Sequence, residues 1–124
     1  MVRQKIGWIH LLSAVVLLLG CARDTQVVRV TAGIEQPALM QSTLVKNIPK
    51  GTPLADAKRF MEREGFECSI TRNGSFSGRD GIDYIYGDRH DRVDIWVSRR
   101  WQIALVLEDD TVADVSVSHG LIGP

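Results

Sequence analysis

No apolar run in this chain is long enough to cross a bilayer as a helix. The longest, Ile6 to Leu19, has fourteen residues, against roughly 20 for a layer about 30 Å thick. Charge of either sign is not in excess, with 15 Lys and Arg against 15 Asp and Glu. That balance leaves no basic footprint for nucleic acid and no polybasic membrane patch. Cysteine is scarce: Cys21 and Cys68 only. A G-x-S-x-G elbow is missing, as are a nucleophile–base pair, a zinc-type Cys/His pattern, internal repeats and low-complexity tracts. The length of 124 residues bounds the chain to one domain. These absences predict a protein that is not an enzyme and uses no metal or cofactor.

What is present starts at the N-terminus. Arg3 and Lys5 precede the apolar run, which closes on Leu18-Leu19-Gly20-Cys21. A charged start, a short apolar core and a small residue before the break have the form of an export signal. The closing residues resemble the lipobox of bacterial lipoproteins, with an aliphatic residue at minus three and a small one at minus one. The resemblance implies a diacylglycerol on the Cys21 sulfur, cleavage before Cys21 and acylation, typically palmitate, of the new amine. Two competing readings are an ordinary secretory signal with Cys21 as a plain thiol, and an uncleaved or buried helix. Ala22 stands where an Asp would imply inner-membrane retention, so the resemblance implies the outer membrane, facing the periplasm, in a Gram-negative host. Without residues 1–20 the balance is 13 basic against 15 acidic side chains, so the acyl chains must do the anchoring. Each buried methylene contributes about 0.8 kcal/mol, and two chains hold where one is marginal.

The expected organisation is a signal over 1–20, a lipidated tether over 21–42 and a small domain over 43–124. In the tether, Val27–Thr31 has strand propensity, and Gly33, Gln36, Pro37 and Gln41 interrupt regularity. Helical spacing of Leu54, Ala57, Phe60 and Met61 predicts a helix over Pro53–Glu64, with Thr52 as N-cap and Gly65 as the left-handed stop. Alternation then predicts a strand through Phe66, Cys68 and Ile70, which turns Cys68 inward as an inert core thiol. Glycines make 73–81 a mobile loop. Further strands are expected at 82–86, 93–97, 101–107 and 112–117, with a polar turn at 87–91 and a tight hairpin turn at Glu108–Thr111. The fold class is α+β: one main helix packed on an antiparallel β-meander of about four to five strands.

Two stretches also resemble a family. The helix start Gly51-Thr52-Pro53-Leu54-Ala55-Asp56-Ala57 and the closing hairpin Trp101 to Val115 are similar to the SmpA/OmlA (BamE-like) small lipoproteins. The resemblance implies a helical part against a three-stranded antiparallel sheet, and support of outer-membrane protein assembly. It covers residues 48–118, and it departs from the pattern in showing one clear helix for two and Asp110 where Gly is common. β-Lactamase-inhibitor-like domains share the general shape.

His90, beside Asp88, Arg89 and Asp91, suits a solvated turn better than a metal site, and His119 suits a strand end. Aromatic residues enrich binding surfaces. Trp96, out of step with Val93, Ile95 and Val97, is the best candidate for exposure, and Phe76 joins it as a candidate protein-binding residue. The expected function is a lipid-anchored envelope module, structural or protein-binding, held to the membrane through acylated Cys21, with other envelope proteins as partners. The alternative is a periplasmic inhibitor or small-ligand-binding domain working through the 73–81 loop and the aromatics.

Overall fold

A computed structural model describes residues 28–123. The segment expected as an export signal, Cys21 and Val27 lie outside these residues. The strand expected over Val27–Thr31 is corrected: 28–29 are irregular and 30–33 form a turn, so no ladder uses the strand propensity there. Two helices, α1 (Pro37–Asn47) and α2 (Leu54–Arg63), precede four strands, β1 (Glu67–Phe76), β2 (Arg79–Arg92), β3 (Ser98–Glu108) and β4 (Thr111–Ile122). The strands form one antiparallel sheet in sequence order, so the class is α+β. The expectation of a single main helix is corrected: among the described residues there are two.

Helix α1 begins inside the segment expected as tether. Pro37 opens it, where a missing N–H costs nothing. Its apolar residues are scattered round the axis, so periodicity is weak: Met40 and Leu44 are buried while Leu39 and Val45 face solvent. Ile34 and Ile48, just outside it, are also buried in the core. Gln41 donates its side-chain N–H to the Val115 carbonyl at 3.0 Å, which ties α1 to the outer edge of β4.

Helix α2 buries Ala57 and Met61 and rests Leu54 and Phe60 on the core. Pro53, not Thr52, occupies the N-cap position. The Thr52 hydroxyl instead donates to the Pro49 carbonyl at 2.6 Å, and the Leu54 N–H finds the Asp110 carbonyl at 2.9 Å. The C-terminus closes with Gly65 at φ 88. The Gly65 N–H bonds to Glu62 and the Phe66 N–H to Met61, the paired bonds of a Schellman stop.

The core lies between the helices and one face of the sheet. Ile85, Trp101, Ile103, Leu105 and Val115 project to that face and are buried. Phe66 and Cys68 pack there too, but Ile70 is exposed because β1 is the sheet edge. β3 is central, as apolar residues on both parities required.

Three expected strand boundaries are corrected. Residues 73–81 are no loop: β1 and β2 continue as a hairpin arm closing at Ser77-Gly78, with Phe76 opposite Arg79. Ser77 at φ 51 and Gly78 at φ 82 make a two-residue turn with both residues left-handed, the type whose twist matches paired strands. Register shifts at Gly74 bend the arm over the far face of the sheet. There the Phe76 ring lies 5.8 Å from Tyr84 and 6.2 Å from Tyr86, and Arg79 reaches Asp114 of β4 at 2.9 Å. The arm lies over the face on which Tyr84, Ala104 and Val106 are buried. The second correction is 87–91, which continues β2 instead of turning. The third is Val93–Val97, which is the loop joining β2 to β3 instead of a strand. The expected Asp109-Asp110 hairpin is present, with φ 53 and 57.

Candidate functional site

The end of the molecule where the described chain begins holds a buried polar knot. Thr31 is fully buried, and its hydroxyl links two charged side chains that do not touch. It donates to Glu64 Oε1 at 2.7 Å and accepts from Arg89 Nη1 at 2.6 Å. Glu64 Oε1 also accepts the Thr31 N–H at 2.8 Å. Arg89 donates further to the Glu64 carbonyl at 2.8 Å, and forms two parallel bonds to Asp91 at 2.9 Å each. Its guanidinium covers the Phe66 ring, 4.6 Å from the centroid. Asp91 Oδ2 accepts the Trp101 indole N–H at 3.2 Å, and that indole stacks on His119. No fully buried side-chain nitrogen or oxygen of these residues lacks a hydrogen-bond partner, as buried charge requires. The sequence offered no signal for the knot, because Thr31 and Arg89 stand 58 residues apart.

Beside the knot opens a cleft of about 290 Å³. Arg29, Arg92 and Arg99 line it with Arg89, against the carboxylates of Glu35 and Asp91. The Arg99 Nε–H is shut off from solvent without an acceptor among the described residues. Arg29, Arg92 and Arg99 enter no ion pair within the described residues, whereas Arg72, Arg79, Arg89 and Arg100 do.

The β2–β3 loop projects from the same end. The Asp94 carboxylate accepts the N–H groups of Trp96 at 2.7 Å and Val97 at 2.9 Å, and the Val97 carbonyl accepts those of Val93 and Asp94. This capture of backbone donors is why β-branched residues fail to extend the strand here. It turns Ile95 and Trp96 outward, at 77% and 72% exposure. Trp96 is exposed as expected, but through a loop and not by strand parity, since Ile95 is exposed beside it. Leu121, opposite Arg99 in the register, and Ile122, opposite Ser98, add exposed apolar surface.

Phe76 sits elsewhere, half-buried in the arm against two tyrosines. The structure therefore separates the two aromatic candidates. Cys68 is the one free thiol among the described residues, and burial pushes it up to about 11, with Glu62 adding to the rise and Lys58 opposing it. Asp88 is engaged by Arg100 at 3.0 and 3.1 Å, and His90 stands 3.8 Å from it. Among the described residues no three His, Cys, Asp or Glu side chains come together as metal ligands would, and no helix is long and apolar enough to cross a membrane. No family model, curated protein or solved structure matches this chain.

Proposed function

We propose that this protein is a lipid-anchored module of the cell envelope, with Cys21 as the lipid attachment point and a structural or binding role in place of a catalytic one. The observation that carries this reading is the burial of Thr31 in the Arg89–Glu64 knot. The chain downstream of the lipobox is clamped into the fold after ten residues, a span of at most about 35 Å. A protein tethered at Cys21 would thus be held close to its membrane with a preferred end toward it. That end carries Trp96 and the arginine cleft, and we assign the binding role to it. The helix pair ahead of an antiparallel sheet supports the SmpA/OmlA resemblance, although the fourth strand departs from their three.

The inhibitor or small-ligand alternative rested on a mobile 73–81 segment roofing a pocket. That segment is a paired arm whose Phe76 packs on Tyr84 and Tyr86, so no specific observation favours that alternative. Fractionation tests the proposal. Wild type should sediment with envelope membranes as a chain cut before Cys21, and Cys21→Ser should either keep residues 1–20 or leave the membranes. A Cys21→Ser chain that is cut and membrane-bound as wild type is would refute it.

A further inference from the structure

We infer that the Trp96 end is a second membrane contact: the β2–β3 loop enters the headgroup layer of a phosphate-bearing bilayer while the neighbouring arginines hold lipid phosphates. The inference rests on the proposed anchor for its orientation, and it names the partner of the surface to which the binding role was assigned. Four observations converge. Ile95 and Trp96 are the outermost side chains of a loop whose shape Asp94 fixes, so their exposure is imposed by the fold. Tryptophan with an aliphatic neighbour suits the boundary between acyl chains and water, where an amphipathic ring can sit. Arg29, Arg92 and Arg99 border the same cleft without ion-pair partners in the described residues, and guanidinium is the side chain that pairs with phosphate in two parallel bonds. The remaining observation is chain length. Val28, exposed at this same end, is seven residues after Cys21, too short a stretch to carry that end far from its lipid.

The apolar tip inserts, and the arginines behind it meet the phosphate plane. Each such cation near an anionic surface contributes on the order of a fivefold gain in binding. Salt weakens that part and leaves the tryptophan part intact.

The test uses the chain from residue 21 onward with Cys21→Ser, which carries no lipid and retains the whole core from Ile34 to Val117. It is mixed with vesicles of equimolar phosphatidylethanolamine and phosphatidylglycerol, with or without bromine on the acyl chains. This chain has two tryptophans, and Trp101 is fully buried, so the response reports Trp96. The expected result is a blue shift of emission with vesicles and quenching by the brominated lipid. Trp96→Ala should bind vesicles about tenfold more weakly, and the double variant Arg92→Gln, Arg99→Gln about twenty-five-fold more weakly. The inference is overturned if emission ignores the vesicles, if Trp96→Ala binds as wild type does, or if Trp96 stays unquenched while crosslinking to an envelope protein. The mass of the native N-terminus is read separately. Acylated Cys21 with unresponsive Trp96 sinks this inference alone, and responsive Trp96 with bare Cys21 sinks only the anchor.

Discussion

Thr31 carries more of the fold's consistency than its size suggests. Its hydroxyl is the link between a buried guanidinium and a buried carboxylate, and Thr31→Val keeps the volume while removing that link. Stranding partners of a buried charge costs about 3 kcal/mol. Urea unfolding should therefore show Thr31→Val destabilised by about that much and Thr31→Ser by well under half of it. Cys68 makes a second prediction at this scale. Its thiol is raised to about 11 in the fold by burial, against about 8.5 in the unfolded chain. Alkylation at pH 8 should run roughly a hundredfold slower than for a free thiol. The sign for stability follows: the neutral, half-buried thiol contributes below about pH 8.5, and the contribution is lost as pH climbs toward 11. That Cys68 packs inward was legible in the alternation Phe66-Cys68-Ile70. The knot was not, because its partners are brought together by tertiary packing alone.

At the scale of elements, α2 and the Asp109-Asp110 hairpin could be read locally, since stripe, stop and turn residues agree with the packing. Helix α1 could not. Its apolar residues lie on more than one side, and Pro37 reads as a breaker until it is placed at the first helical position. Met40→Ala separates the two accounts: about 3 kcal/mol is expected for a fully buried residue, and next to nothing for a tether. The arm was missed because its glycines signal mobility, yet Gly74 is there for closeness. A Cβ at Gly74 would fall 2.5 Å from Thr71 Cγ2 and 3.3 Å from the Tyr84 ring. Gly74→Ala should cost about 1–3 kcal/mol by overpacking, with loss of the Phe76–Tyr84 ring contact in nuclear Overhauser spectra. The arm also answers to acid. Asp83 accepts the Asn73 N–H at 2.9 Å, and that bond, with Arg72 beside it, holds its carboxyl below the usual range. A depressed carboxylate contributes above its unfolded value near 4 and loses the contribution as pH falls through its folded one. The arm should accordingly loosen only below about pH 4, and Asp83→Asn should remove that acid step.

For the whole molecule, the proposal joins an address expected from the sequence to an end defined by the structure. The knot at Thr31 and the loop at Trp96 lie at one end of the sheet, and with Cys21 as the proposed attachment point that is the end closest to it along the chain. The loop escaped the sequence reading because Val93, Ile95 and Val97 have strand chemistry, and only the backbone bonds of Asp94 override it. The arginine cleft escaped it because near-zero net charge conceals three cations gathered from residues 29, 92 and 99. The proposed orientation presumes a lipid on Cys21. Intact-mass measurement of the protein extracted from envelope membranes tests that directly. The account predicts a chain beginning at Cys21, heavier than its peptide mass by a diacylglyceryl group and an amide-linked acyl chain. A chain retaining residues 1–20, or one with a bare Cys21 thiol, would contradict it.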